Sequence, residues 1–440
     1  MPSPSGRRFL AAVAMAATAL LAASPSPAIA RPPAPTHLAS LGPEFLWGVA
    51  ASGFQAEGDA PDSNWRRYAA SGATQDPYLN SVDFRTRYRS DIALAADLGV
   101  RVYRIGIEWA RVQPQPGVWD ESALAFYDDV VRAITDAGMR PMLTLDHWVY
   151  PGWTADRGGW RDPEIVSNWL ANARAVVDRF AGVDPLWVTF NEPTFYLVNE
   201  VRKGGIGVAD APAMTDRIAQ AHNNIYDYIH SVQPGARVTS NIAFIPGVDD
   251  AVSGPLLDRI AARLDYIGID YYYGVSPTQL TVPDFDRLWT LPLQSEGIYY
   301  ALDHYARRFP GKPLYIVENG IPTENGLPRA DGYTRADSLR DTVYWLQRAV
   351  ADGIPLIGYN YWSLTDNYEW GSYTPRFGLY TVDVLTDPTL TRTPTDAVAA
   401  YRAITAGGGV PADYRPTRAP VPCSLVDAAT SCTDPVSVPR

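Results

Sequence analysis

Cysteine is scarce in this sequence: two in 440 residues, Cys423 and Cys432, both close to the C-terminus. Two cysteines so near each other can make at most one local disulfide, and neither has metal-site company. Histidine is scarce too. The five (His37, His147, His222, His230 and His304) form no His-x-x-x-His pattern, so no metal and no cofactor is expected. Positive charge is in deficit. The formal net charge is −11, which argues against nucleic acid or an anionic membrane surface as partner and suits a neutral ligand. Long apolar runs are missing except near the N-terminus, from Phe9 to Ala23. Arg7-Arg8 precede that run and Ala28-Ile-Ala30 follows it as a small-x-small cleavage site. Residues 1–30 therefore read as a secretory signal peptide, and the protein as secreted. No other stretch is long and apolar enough to span a membrane. In an exported protein a Cys423–Cys432 disulfide is the default expectation.

Aromatic residues, by contrast, abound: 13 Trp and 26 Tyr in a chain that is 46% hydrophobic. Such rings fill cores, and they also stack on the apolar faces of sugars. Apolar strand-like runs alternate with amphipathic helical stretches along most of the chain. Strands are expected at 45–51, 101–107, 141–145, 187–190, 237–243, 266–271, 314–317 and 355–361. The helix over 83–97 places Phe84, Tyr88, Ile92 and Ala95 on one face, and the next starts at Asp120 as N-cap. Others are expected through Ile165 to Phe180, Ala213 to Val232, Leu256 to Leu264, Glu296 to Phe309, Leu339 to Val350 and Pro394 to Ile404. Eight strand–helix units without an internal boundary predict an α/β fold, a single (β/α)8 TIM barrel over 45–405. A doubly wound sheet would carry a Gly-rich phosphate turn after its first strand, and Gly53 and Gly58 lack that spacing. Residues 31–44 are Pro-rich and read as a linker. Residues 406–440 are a Gly/Pro-rich tail, either pinned by Cys423–Cys432 or disordered.

A barrel presents its chemistry at the C-terminal ends of its strands. The strand Trp187-Val-Thr-Phe190 ends in Asn191-Glu192-Pro193, and Leu314-Tyr-Ile-Val317 ends in Glu318-Asn319-Gly320. Two acids at two strand tips are what a two-carboxylate glycosidase requires. Around them fall Gln55 and Glu57, Arg104 to Glu108, His147-Trp148, Tyr271 to Tyr273 and Trp362 to Trp370. Acids, amides, an imidazole, a guanidinium and indoles suit a polyhydroxylated neutral ring. Glu57 and Glu108 read as structural, Trp109 and Trp160 as packing.

At these residues the chain resembles glycoside hydrolase family 1, the β-glucosidase family. The resemblance rests on Phe45-Leu-Trp-Gly-Val-Ala-Ala-Ser-Gly-Phe-Gln-Ala-Glu-Gly58, Tyr103-Arg-Ile-Gly-Ile-Glu-Trp-Ala-Arg111, and His147-Trp148 with Gly158-Gly-Trp160. It continues through Thr189-Phe-Asn-Glu-Pro193, Val317-Glu-Asn-Gly320 and Trp362-Ser-Leu-Thr-Asp-Asn-Tyr-Glu-Trp370, all in the family's order. It implies a retaining exo-β-glycosidase, most simply a β-glucosidase, acting on a carbohydrate or aryl or alkyl β-glycoside. Glu318 would be the nucleophile and Glu192 the acid/base, with Arg104 and Tyr272 flanking the nucleophile. Gln55, His147, Asn191 and Glu369 would hold sugar hydroxyls, with Trp148, Trp362 and Trp370 lining the pocket. A guanidinium beside Glu318 would favour its charge, while Glu192 would keep its proton near neutrality. The two carboxyl groups are expected about 5–5.5 Å apart.

The chain also departs from the pattern. Val317 stands where the family usually has Thr, and Asp270 where it usually has Asn. Val149-Tyr150 replaces an acidic residue and Leu. The stretches 193–265 and 273–313 are short, which leaves aglycone preference open. β-Galactosidase, β-fucosidase and transglycosylase activities remain alternatives, as does a non-catalytic sugar-binding barrel. The family's usual Thr-Glu-Asn-Gly also occurs literally at Thr323 to Gly326, but in a polar, Gly- and Pro-rich stretch that reads as a loop.

Overall fold

A computed structural model describes residues 37–274 and 287–438; the expected signal peptide and residues 31–36 of the expected linker lie outside them. Eight parallel strands close into a barrel in chain order. They are β1 (Leu46–Ala50), β2 (Val102–Gly106), β3 (Arg140–Thr144), β4 (Leu186–Asn191), β5 (Arg237–Ala243), β6 (Ile267–Asp270), β7 (Leu314–Asn319) and β8 (Leu356–Trp362). The ring closes where Ala50 of β1 pairs with Trp362 of β8 on one side and Arg104 of β2 on the other. The principal helices are α1 (Phe84–Asp97), α2 (Glu121–Asp136), α3 (Ile165–Phe180), α4 (Pro193–Lys203), α5 (Ala211–Val232), α6 (Gly254–Ile260), α7 (Gly297–Arg308), α8 (Arg335–Ala351) and α9 (Asp396–Gly407). This is the expected (β/α)8 barrel.

The period-2 alternation of each strand divides its side chains between two cores. Val102, Met142, Leu186, Val188, Tyr266, Tyr315 and Val317 fill the barrel interior. A far larger cluster packs strands against the helical ring, with Trp169, Trp187, Val238, Ile316 and Trp345 among its buried members. The α2 start is as expected: the Asp120 carboxylate accepts from the backbone of Ser122 and Ala123, a cap that stabilises by about 1 kcal/mol. Gly358 leaves room for the Tyr315 ring, since a Cβ there would lie 2.2 Å from it.

The strand ends are less regular than the strand bodies. The pairing register shifts between Val188 and Asn191 in β4, between Ile269 and Asp270 in β6, and between Ile316 and Asn319 in β7. Such shifts turn side chains that strict alternation would aim elsewhere; these three fall where the acids emerge, and a fourth lies at the start of β7, between Leu314 and Tyr315.

Both ends of the described chain lie on the barrel. Leu38 is buried in the main core, and Leu41 N–H donates to Gly408 O at 2.7 Å. The tail runs across α7 and α8. Backbone N–H groups of Thr417 and Arg418 donate to Asp341, and that of Val421 to Glu296. Cys423 and Cys432 are joined as a disulfide. Sequence composition suggested a linker here, because Gly and Pro carry no apolar period. What holds the tail is a set of backbone donors meeting buried carboxylates on the helices.

Candidate active site

Glu318 is the last but one residue of β7 and is 4% exposed. Arg104, on β2 and fully buried, places Nη1 against Glu318 Oε1. The rest of that guanidinium is committed: Nε donates to Thr144 Oγ1 at 2.9 Å and Nη2 to Asn191 Oδ1 at 2.6 Å. On the other side Tyr272 Oη donates to Glu318 Oε2 at 2.8 Å. Burial and the Glu318 charge both raise the Tyr272 phenol, so it stays a donor. Both carboxylate oxygens of Glu318 are thus gripped by buried donors, and such charge-assisted bonds fix direction as well as charge.

Glu192 follows β4 in a left-handed conformation (φ 38°, ψ 62°) immediately before Pro193 opens α4. The turn is held by the Glu192 N–H, which donates to Asn241 O at 3.0 Å. For a residue with a Cβ this is an uncommon and costly conformation, and it turns the carboxyl into the barrel mouth. Glu192, Glu318 and Asp270 each bring a carboxylate oxygen within 4.8 Å of the other two. Burial, then the negative charge of Glu318, pushes Glu192 well above the ordinary carboxyl range.

The expected sugar-holding groups converge on the same mouth. Gln55 donates to Asn367 Oδ1 at 3.2 Å and to Glu369 Oε2 at 3.3 Å, while its own oxygen accepts from Ser52 Oγ at 2.7 Å. Burial and the Glu318 charge raise the Glu369 carboxyl to about 8. His147 is 6% exposed and its Nδ1 has no partner. Burial, then Arg104, holds its pKa well below the usual imidazole value, so the ring is neutral with hydrogen-bonding capacity to spare. A buried polar atom without a partner is costly, and a ligand hydroxyl would satisfy it. His147 lies parallel to Trp362 at 6.0 Å and to Trp370 at 5.7 Å. Trp148, itself left-handed at φ 71°, stacks on Trp370 at 4.5 Å and donates Nε1–H to Asn191 O at 2.8 Å. The eleven residues singled out from the sequence therefore cluster at one end of the barrel, with Gln55, Arg104 and Asn191 buried beneath its surface.

Glu57, Glu108, Trp109 and Trp160 have structural surroundings, as expected. Glu57 accepts from Arg111 Nε at 2.8 Å and Tyr127 Oη at 2.7 Å, behind the mouth. Glu108, beside it, is raised to about 8 by burial and the Glu57 charge. Trp109 and Trp160 are buried, bonded to Gln113 and Tyr196.

Several contributors were not singled out from the sequence. Asn241, at the end of β5, donates to Asn191 Oδ1 at 2.7 Å and to Asp270 Oδ2. Its signal was present, a polar residue at a strand's C-terminal end. Asp146 accepts from Trp148 N at 2.9 Å and Trp169 Nε1 at 3.0 Å, and burial lifts it to about 8. At the rim, Lys203 pairs with Glu200 at 2.7 Å and lies 4.4 Å above the Trp65 ring. Among the described residues two acidic groups have metal-like spacing, Glu192/Asp270/Glu318 and Asp249/Asp250/His304. Each already contacts a guanidinium, Arg104 in the first and Arg308 in the second.

The comparisons with known proteins agree with this geometry. The family model for glycosyl hydrolase family 1 matches residues 38–243 and 275–409. Among curated proteins, the chain is 30% identical over 336 residues to the galactolipid galactosyltransferase SFR2 of Arabidopsis thaliana. That match covers 67% of this chain and 53% of the relative, so the chain spans about half that protein's length. It is 26% identical over 423 residues to β-glucosidase A of Thermotoga maritima, covering 78% of this chain and 93% of the relative. Among solved structures, the β-glycosidase from Pyrococcus horikoshii superposes with a TM-score of 0.73 at 26% identity, over 85% of this chain and 96% of that one. With the barrel, the paired acids and the matched motifs in agreement, the chain belongs to glycosyl hydrolase family 1.

Proposed function

We propose that the protein is a secreted, retaining exo-β-glycosidase that releases terminal non-reducing β-D-glucosyl residues. The observation that carries this reading is the close approach of Glu192 and Glu318, within 4.8 Å between carboxylate oxygens. Retaining enzymes hold their carboxyls about 5–5.5 Å apart, whereas inverting ones leave roughly 6.5–9.5 Å for a water. Glu318, held by Arg104 and Tyr272, is placed to bond the anomeric carbon. As the glycosidic C–O bond breaks, Glu192 passes its proton to the departing oxygen. Water then attacks the glycosyl ester, Glu192 takes a proton from it, and Glu318 leaves as carboxylate. Gln55, His147, Asn191 and Glu369 would hold the sugar's hydroxyls, and the stacked indoles would cover its apolar face.

A panel of p-nitrophenyl β-glycosides with cellobiose and longer β-glucans tests the reading. Fastest release from the β-glucoside, with β-glucose as first product by NMR, is expected. No turnover of any β-glycoside would favour a non-catalytic barrel, and α-glucose first would overturn retention. A second reading, transfer of the sugar to another glycoside, is favoured by the likeness to a protein named as a galactosyltransferase. It is tested by the ratio of transfer to hydrolysis products as acceptor sugar is added. Export is supported by the pattern of residues 1–30 and predicts a mature N-terminus at Arg31, read by N-terminal sequencing of protein from the medium.

A further inference from the structure

Asp270 ends β6 and pairs with Glu318 of β7 just past a shift in the strand register. It is 1% exposed. Its Oδ2 accepts from Asn241, while Oδ1 receives no donor. A carboxylate oxygen of Glu192 lies within 4.8 Å of one of Asp270, close enough for the two carboxyl groups to meet. An ionised carboxylate can only accept, so a bond between two carboxyl groups needs a proton on one of them. The charged and titratable groups facing Asp270 are Glu192 from β4, Glu318 from β7, Arg104 from β2 and the Tyr272 phenol. One guanidinium against three carboxyls, two of them buried and that of Glu192 partly so, balances one anion. Further uncompensated charge in such a place is expensive and is relieved by protonation.

We propose that Asp270 is a positioning residue that keeps its proton through the catalytic cycle and donates its O–H to the Glu192 carboxyl. This rests on the glycosidase reading above. In the resting site Glu318 is the anion that balances Arg104, and Glu192 and Asp270 each hold a proton. When Glu318 bonds the anomeric carbon, its charge vanishes into the ester. Glu192 has then given its proton to the leaving oxygen, and the new negative charge sits beside the Asp270 O–H. Attack of water returns a proton to Glu192 and the electron pair to Glu318. The net charge of the cluster with Arg104 stays at zero at every stage, and Asp270 neither gains nor loses its proton. Burial and the charges of Glu318 and Glu192 all act in this direction by raising Asp270. An asparagine could offer an N–H at the same place, but an acid can lose its donor proton as pH rises. Deprotonation of Asp270 therefore sets part of the enzyme's alkaline limit.

The test is Asp270→Asn, which keeps shape and donor but removes the titration. Near the optimum, kcat/KM on an aryl β-glucoside should stay within about tenfold of wild type, the alkaline limb should rise by about one pH unit, and the acidic limb should stay put. An alkaline limb that does not move, or that falls, overturns the proposal; a fall would mean that Asp270 carries charge beside Glu192. Should the variant fail to fold, infrared spectra of the wild type decide. With carboxyl-13C aspartate, an isotope-sensitive protonated-carboxyl band should shift at neutral pH when an iminosugar binds, and absence of such a band would contradict the proposal. Wild type without turnover would refute the glycosidase reading, while the infrared result would still report the protonation of Asp270.

Discussion

Two nearly identical tetrapeptides stand six residues apart in this chain and have different surroundings. Val317-Glu-Asn-Gly320 closes β7; Thr323-Glu-Asn-Gly326 begins in a two-residue ladder with Pro375-Arg376. In the first, Glu318 is buried and gripped by Arg104 and Tyr272. Asn319 donates to Tyr271 O at 2.5 Å and accepts from Tyr359 Oη at 3.0 Å. A Cβ on Gly320 would sit 2.0 Å from Trp362 O, so no larger residue fits there. In the second, Glu324 is exposed and its carboxyl has no partner among the described residues. Asn325 and Gly326 are left-handed, at φ 51° and 76°, as in an ordinary turn. The better match to the family's spelling is the poorer site. A reactive carboxyl needs support from several strands to hold its geometry, and a barrel end supplies it where a surface ladder does not.

The comparison can be broken most sharply at Glu318. Glu318→Gly should lower hydrolysis by roughly 10^4-fold or more, as removal of a nucleophile does elsewhere. Azide should restore turnover and yield the α-glycosyl azide, because it attacks from the vacated face. Glu192→Gln should cost about 10²–10⁴-fold on natural glycosides and far less on substrates with very good leaving groups. Equal loss on both kinds would remove Glu192 from the acid role. Its raised pKa also sets the pH profile. The acid proton is retained to higher pH than a free carboxyl would allow, and activity falls only as pH climbs through the raised value. Tyr272→Phe removes one donor to the charged nucleophile, worth about 1.5–3 kcal/mol, which corresponds to a loss of kcat/KM of roughly 10- to 100-fold. The smallest effect belongs to Glu324→Gly, which should leave activity within about twofold, as exposed substitutions usually do.

The barrel was legible because its strands are apolar and β-branched and its helices carry a 3.6-residue period. Expected and observed strands differ by a residue or two, as at β4, expected over 187–190 and found at Leu186–Asn191. The helix Pro193–Lys203 was not expected. It follows Glu192 without a loop, and its apolar face reads poorly because Glu200 and Lys203 are buried as an ion pair. The short ladders at 323–324 and 380–381 are too brief for any periodicity to mark them. At the mouth, the motifs located residues, but not the left-handed turns of Glu192, Trp148 and Trp370. Those turns depend on contacts from neighbouring strands, which no local pattern encodes. The Asp270 carboxyl was visible as a departure from the family's usual Asn. Its closeness to Glu192 became visible only when β4, β5 and β6 were brought side by side.

The central claim, that position in the barrel selects the nucleophile, is tested most directly by covalent trapping. A 2-deoxy-2-fluoro-β-D-glucoside with a good leaving group slows the breakdown of the glycosyl ester more than its formation. After digestion, mass spectrometry should find one fluorosugar per chain, on the peptide carrying Leu314 to Asn319, with fragmentation placing it on Glu318. A label on Glu324 would contradict the account.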